Sequence, residues 1–470
     1  MASVLLGVDV GTSSVKIVAT GTDGALIAEA TAPHALSTAG GGAEQDPDDW
    51  WRTVTALAPQ VVAGHDVLGV AVTSQAPTLV PVGADTAATG PALTWLDRRA
   101  VDDARRLADI APSRNGPDPY FGTGKLPWLR RERPDIAGRT HRVVAANGYI
   151  VLRLTGGFSL DDTTASLMQG FDEAAGRFDE RLAGHGVELL PEVVAPTTVV
   201  GGVTSAAAAA TGIPEGTPVV AGGSDAVGAC LEAGSLAVGD PVVEMTGFST
   251  VTMLPVAPGT HVPGFIHCRS ALPSVDLLIT AQVTSGAAVD WLNGLVDGSD
   301  LRESGPLLER DRPSRLTVVP SLAGERTPGW DPHARGTVDG IDLDTDAVEL
   351  MLATLEGSAL ALADDLEQVR RHGFELASLR CTGGGARSPA WLQIKADATG
   401  LPVLRPAAGH GAAQGASYLA GVALGHYGAG EVRGFAAKIE SRHVPDPALT
   451  ARYREKLVRF RETVAFGRHR

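Results

Sequence analysis

Cysteine is scarce, positive charge is outnumbered, and long apolar runs are missing. The three cysteines, Cys230, Cys268 and Cys381, are odd in number, far apart and without metal-ligand spacing. That pattern excludes a disulfide framework, fits a reducing cytosol and reads as buried filler. Lys and Arg total 39 against 54 Asp and Glu, a formal charge of −15, which argues against nucleic acid as the main partner, since phosphate backbones demand a basic face. A nucleotide substrate stays open, because N–H groups, hydroxyls and a metal can bind a triphosphate locally within an acidic protein. No stretch approaches the roughly eighteen consecutive apolar residues of a membrane span; Ala206 to Ala210 reads as a small-residue helix between Thr204 and Gly212. Met1-Ala2-Ser3 runs straight into an apolar strand, leaving no room for a signal peptide, so a cytoplasmic protein is expected. What is there is 470 residues, 44% hydrophobic and 20% charged: a soluble globular composition, long enough for two or three domains.

The stretch from Leu5 to Ala19 organises the rest. An apolar run ends in Asp9, passes through Gly11-Thr12-Ser13-Ser14 and resumes as Val15-Lys16-Ile17-Val18-Ala19, rich in β-branched residues. This reads as strand, tight hydroxyl-rich turn, strand. A Walker A loop would run into a helix, so that reading fails on context. Gly11 lets backbone approach an anion, Thr12, Ser13 and Ser14 offer hydroxyls beside main-chain N–H groups, and Lys16 adds positive charge. Asp9 suits Mg2+ and its waters. An ordinary hairpin with a Gly-Thr turn is the alternative at this point.

Further along, Glu44-Gln45-Asp46-Pro47 precedes Trp50-Trp51 as acids and Pro at a helix start. A buried strand, Leu68 to Thr73, runs into Ser74-Gln75-Ala76-Pro77, and Thr94-Trp95-Leu96-Asp97 follows; strand ends with polar residues are where open α/β sheets bind ligands. Trp95 and Asp97 read equally as a core aromatic and a helix cap. From Thr217 the pattern begins again. Pro218-Val219-Val220-Ala221 is a strand, Gly222-Gly223-Ser224-Asp225 its loop, with the two glycines expected to leave room for a ligand. Val242 to Met245 then leads into Thr246-Gly247-Phe248-Ser249-Thr250 and a further strand, echoing the first hairpin. Near the C-terminus Tyr453, Leu457, Phe460 and Val464 recur at helical spacing, predicting an amphipathic docking helix.

Taken together these motifs resemble the FGGY carbohydrate kinase family of the actin-like ATPase superfamily. The opening hairpin is similar to the family's first phosphate motif, and Glu44-Gln45-Asp46-Pro47 with Trp50-Trp51 resembles the segment that follows it in xylulokinases. Gly324-Glu325-Arg326-Thr327-Pro328 with Trp330-Asp331-Pro332 resembles a segment of the C-terminal half. Gly336, Val338, Gly340-Ile341, Glu349-Leu350 and Ala353-Thr354-Leu355-Glu356 match the second signature throughout. The first, from Tyr120 to Glu132, is matched except at Gly122, where Ser, Thr or Pro is usual. Gly383-Gly384-Gly385-Ala386 with Ser388-Pro389 resembles the adenosine motif, three glycines delivered to a helix that Ser388 caps.

The resemblance implies an α/β fold of two actin-like (ribonuclease H-like) lobes, each a mixed sheet flanked by helices, with an ATP cleft between them. It implies lobes over 1–240 and 241–434 with a docking tail over 435–470, and allows a homodimer. The implied reaction moves the γ-phosphoryl of Mg-ATP to a hydroxyl of a small sugar, with Asp225 as base and Gln75, Trp95 and Asp97 at the sugar. Gly247, Ser249 and Thr250 then form the second phosphate turn. Three departures bear on substrate and rate. Ala76-Pro77 stands where xylulokinases carry Met-His, and Ala226 where they carry Asn, which points away from D-xylulose towards another ketose, a polyol or a sugar acid. Phe248 replaces a hydroxyl in the second turn, which keeps a slow kinase or a sugar-binding sensor as the alternative.

Overall fold

The computed structural model describes residues 2–296, 312–407, 410–436 and 438–468. Two large mixed sheets carry the chain. The first contains β1 (Ser3–Val10), β2 (Ser14–Gly21), β3 (Leu26–Pro33), β4 (Asp66–Ser74), β5 (Val199–Gly202) and β6 (Pro218–Ser224), in the order β5-β6-β4-β1-β2-β3. Strand β1 is buried continuously from Val4 to Val8, as expected of a central strand covered on both faces. It pairs antiparallel with β2 and parallel with β4, and β4 runs parallel to β6. Register brings Val10 opposite Ser74 and Ser74 opposite Ser224. The residues that follow, Gly11, Gln75 and Asp225, therefore emerge in one row at the carboxyl ends of parallel strands, where such sheets bind ligands.

Helix α1 (Pro47–Val62) covers one face. Asp46 caps it, accepting the Asp48 N–H at 2.9 Å, and Pro47 occupies the first turn. Trp50, Val54, Leu57 and Val61 give its buried stripe. Helix α2 (Asp225–Glu232) starts directly from β6, with Ser224 accepting the Val227 N–H at 3.4 Å.

The second sheet repeats the plan with β7 (Val242–Thr246), β8 (Thr250–Val256), β9 (Ile266–Arg269), β10 (Asp276–Gln282), β11 (Leu379–Thr382), β12 (Val403–Pro406) and β13 (Ile439–His443), ordered β9-β10-β8-β7-β11-β12-β13. Its central pair, β7 and β8, is again an antiparallel hairpin, and β7 again has a parallel neighbour, β11. Helices α3 (Ala347–Arg371) and α4 (Pro389–Thr399) pack on each other. Helix α5 (Ala412–Ala423), although late in the chain, crosses to the first sheet. A Cβ on Gly7 would stand 1.8 Å from Ala413 O, and one on Gly415 would stand 1.8 Å from Gly228 O, so glycine is required where α5 meets β1 and α2. Helix α6 (Pro447–Arg468) buries Tyr453, Leu457 and Phe460 against α3 and α4, and Tyr453 donates to Glu356 at 2.7 Å.

Gly222 and Gly223 do not open space for a ligand. Gly222 has φ +78° and its Cβ would fall 1.7 Å from Val72 O, and a Cβ on Gly223 would fall 2.7 Å from Thr163 Oγ1. The register slips between Val220 and Gly223, so the pair makes a bulge that lets β6 close on β4 and sets the direction of Asp225.

Candidate active site

The first turn is held from behind. Gly11 N–H donates to Ser14 O at 3.0 Å, closing it. Its carbonyls are tied back: His34 Nε2 lies 3.0 Å from Gly11 O, Gln45 Nε2 donates to Thr12 O at 2.7 Å, and His34 N–H donates to Ser13 O at 3.0 Å. Among the described residues the Thr12 and Ser13 N–H groups have no such partner. A turn with carbonyls satisfied and N–H groups left over is a site for anionic oxygen. Trp95 Nε1 donates to Thr12 Oγ1 at 3.1 Å, and Gln75 Nε2 donates to Gln45 Oε1 at 2.6 Å while Gln75 Oε1 is buried without a partner among the described residues. The turn, Gln75 and Trp95 thus form one connected group. Lys16 stands opposite Asp9 in the β1–β2 register, with Glu29 Oε2 3.9 Å from its Nζ.

Two carboxylates face each other at the strand ends. Asp9 accepts from Thr73 Oγ1 at 3.0 Å. Burial and then the Asp225 charge push its pKa up to about 7, against the Thr73 hydrogen bond and the Lys16 charge. Asp225 accepts the Ala226 N–H at 2.8 Å, and burial lifts it to about 6 although that bond and the Arg326 guanidinium oppose the rise. Neither carboxylate forms a salt bridge among the described residues. Partly hidden oxygen donors without a cationic partner suit Mg2+, which is usually bound by one or two carboxylates plus substrate phosphates. Arg326 lies across from them, 4.6 Å over the Trp95 ring and 5.2 Å over Tyr120.

The second turn differs. Phe248 O accepts the N–H groups of Ser285 (3.2 Å) and Ala287 (3.0 Å), while the Phe248 ring is 65% exposed. Gly247 has open space around its Cβ position; the close approach is at Gly286, whose Cβ would fall 2.0 Å from Gly247 O. Ser249 is half-buried at the tip. Thr250 is buried, and its hydroxyl pairs with Thr246 Oγ1 at 2.9 Å. Behind it Lys395 Nζ donates to both Glu244 oxygens (2.9 and 3.0 Å) and to Thr246 Oγ1 (3.1 Å), and lies 4.6 Å over Trp391. The glycine loop packs on the same strand: a Cβ on Gly383 would meet Thr246 O at 2.5 Å and one on Gly385 the Thr246 side chain at 2.6 Å, whereas Gly384 would meet only ordinary contacts. Ala386 is buried, and Ser388 caps α4 by accepting the Trp391 N–H at 3.3 Å.

Asp97 stands apart from this group. Its oxygens accept from Ala43 N–H (3.2 Å) and from Arg99 N–H and Nε (3.1 Å each), and the following helix begins only at Val101, so Asp97 is not a helix cap. Sequence reasoning assigned no role to His34, Thr73, Lys395, Glu244 or the side chain of Arg326. Gln45 carried a signal, its place in the segment before α1; the others act through partners far away in the chain.

Two family models match the chain in order. The FGGY carbohydrate kinase N-terminal domain covers residues 4–231 and the C-terminal domain residues 250–424. The xylulose kinase of Streptomyces coelicolor is 32% identical over 433 residues, covering 88% of this chain and 86% of that one. A glycerol kinase from Trichlorobacter lovleyi is 30% identical over 458 residues, covering 90% and 91%. In three dimensions the xylulose kinase of Rhodospirillum rubrum superposes with a TM-score of 0.86 at 26% identity, covering 98% of each chain. Two lobes on mixed sheets, a hairpin turn in each and two domain models in order lead to one conclusion: the chain belongs to the FGGY family of carbohydrate kinases.

Proposed function

We propose that this sugar kinase holds Mg-ATP between its two hairpin turns and uses Asp225 to accept the proton of the sugar hydroxyl. Phosphoryl transfer needs positioning and charge neutralisation more than covalent help, and a hydroxyl needs a base. The sugar O–H bond gives its proton to Asp225, the oxygen forms a bond to the γ-phosphorus, and the bond from that phosphorus to the bridging oxygen breaks, its electron pair leaving on ADP. The Thr12 and Ser13 N–H groups meet phosphate oxygens with Ser14 and Lys16 beside them. Gly247 and Ser249 approach the phosphates from the other side, and Gly383 to Ala386 line the adenosine. Asp9, positioned by Thr73, would hold Mg2+ through water. Bound Mg2+ neutralises charge developing on the phosphates. Gln75 and Trp95 face the sugar.

The observation that supports this reading most is the first turn, with its carbonyls tied back and its N–H groups free, set beside a carboxylate raised to about 6. A division near residue 240 into a sugar lobe and a nucleotide lobe, with 435–470 docked as a tail, belongs to the same proposal, as does a cytoplasmic setting; no described helix is long and apolar enough to cross a membrane. The test is ADP release across ketoses, polyols and sugar acids. Sugar-stimulated, Mg2+-dependent release is expected, and folded protein that binds ATP but releases no ADP with any of these classes would overturn the proposal.

A further inference from the structure

A cavity of about 720 Å³ lies apart from the catalytic group, within the range of roughly 300–1,000 Å³ usual for small-molecule sites. None of its lining residues belongs to the hairpin turns, the glycine loop or the pair Gln75 and Trp95. Its walls come from both lobes: Arg114, Asp162 and Phe171 from the first, Arg269 and Asp276 from the second. Ion pairs cross between them. Arg269 Nη1 donates to Asp162 Oδ2 at 2.9 Å, and Arg114 Nη1 lies 3.5 Å from Asp276 Oδ2 while also pairing with Glu173; Arg114 Nη2 donates to Thr260 O. The seam beside them is fastened. Asn115 Nδ2 donates to His267 O and Asn115 Oδ1 accepts the His267 N–H, 2.8 Å each, and Arg269 N–H donates to Ser166 Oγ at 2.8 Å.

Two polar atoms of these walls are left over. Asp162 Oδ1 and Arg114 Nε are buried and have no hydrogen-bond partner among the described residues, and such groups cost stability unless something meets them. Burial pushes the Asp162 pKa up to about 7 in spite of the Arg269 charge, as expected of a carboxylate short of donors. A ligand that meets both atoms must donate a hydrogen bond and accept one. An ammonium only donates and an ionised carboxylate only accepts, whereas a hydroxyl does both. Charge excludes anions as well, because five carboxylates, Asp162, Asp172, Glu173, Asp179 and Asp276, line the cavity against two arginines. Phe171 and four prolines add rigid apolar surface for the C–H face of such a ligand.

We propose that this cavity is a second carbohydrate site, taking a neutral polyhydroxy compound whose hydroxyls donate to Asp162 and accept from Arg114. It does not rest on the kinase reading. A ligand bound there touches both lobes. Asp162 is followed by Thr163, whose Oγ1 accepts the N–H of Ser224, the residue before Asp225, at 3.1 Å, so the site adjoins the element that carries the base without being part of it.

Amide hydrogen exchange of the full chain, read by mass spectrometry, locates the ligand. D-xylitol and D-glucitol are titrated in parallel with putrescine and inorganic phosphate, using wild type, Asp162→Leu and Ala195→Trp, each first checked for cooperative thermal unfolding. Ala195 is exposed and lines the cavity, so a ring there takes up its space without entering the core. The alditols are expected to slow exchange over 169–175 and 258–276 of wild type along a saturable curve, with the midpoint raised at least about tenfold in both variants. No saturable protection of those segments by alditols, protection by putrescine or phosphate in its place, or an unchanged midpoint in Asp162→Leu overturns the proposal. Should Asp162→Leu not unfold cooperatively, an unchanged midpoint in Ala195→Trp overturns it instead. Slowing confined to segments around Gln75, Trp95 and Asp225 reports the substrate site alone and overturns it too. Turnover does not enter the readout, so protein that passes this test and phosphorylates no sugar counts against the kinase reading alone.

Discussion

The two hairpin turns are built alike and charged differently. Each joins a central strand to its antiparallel partner and sits beside the end of a parallel strand. In the first lobe the carboxylate at the strand end, Asp9, has a single threonine and no salt bridge among the described residues, and burial with Asp225 close by raises its pKa to about 7. In the second lobe the carboxylate two residues before the turn, Glu244, is closed off by Lys395, with Thr246 and Thr250 completing the network. A carboxylate kept short of partners can serve a metal or a proton; one fully paired in the interior can only hold shape. In the proposed reading the charged chemistry lies beside the first turn, while the second meets phosphate through Gly247 and Ser249 on a paired Glu244–Lys395 support.

Removing the base should break the comparison most severely. Asp225→Asn keeps size and much hydrogen bonding, and kcat should fall by roughly 10² to 10⁴ with ATP binding almost unchanged, measured by single-turnover transfer and nucleotide titration. On the scaffold side, Lys395→Met strands Glu244 in the interior and should cost about 3–5 kcal/mol in thermal unfolding, most of it regained by adding Glu244→Gln. An unchanged midpoint would mean that the pair is not structural. Asp9→Ala should reduce productive Mg-ATP use by about 10- to 100-fold, read as a rightward shift of the Mg2+ dependence; unaltered dependence would remove Asp9 from that role. Phe248→Thr is the mildest change, expected to raise the transfer rate or leave it unaltered. A large fall would give the exposed ring a function of its own, such as packing between the lobes.

Much of this was legible because it is local. The hairpins announce themselves as apolar runs broken by Gly, Thr and Ser, and the caps of α1 and α4 lie within a few residues of what they cap. The relatives named above are kinases, which supports the kinase over the sensor reading. Sequence fails where partners are distant. Lys395 meets Glu244 across 151 positions, and Arg326 reaches Trp95 and Tyr120 from the other half of the chain. Glycine misleads in a particular way. It signals close approach without naming the neighbour, so Gly222 and Gly223 read as room for a ligand when Val72 and Thr163 fill that space. Asp97 shows the same limit in part, since Ala43 reaches it from 54 positions away, although Arg99, its other partner, stands only two residues on.

The pH dependence of phosphoryl transfer tests the central assignment most directly. Burial lifts Asp225 to about 6, and a protonated carboxyl cannot accept the sugar proton. With Mg2+ saturating, so that Asp9 stays ionised, activity is full above that pKa and lost as pH falls through it. The account expects kcat/KM on the true substrate to drop about tenfold per pH unit below about 6, with the slow residual rate of Asp225→Asn lacking that limb. A wild-type profile that stays flat down to about pH 5, or the same acid limb in Asp225→Asn, would contradict it.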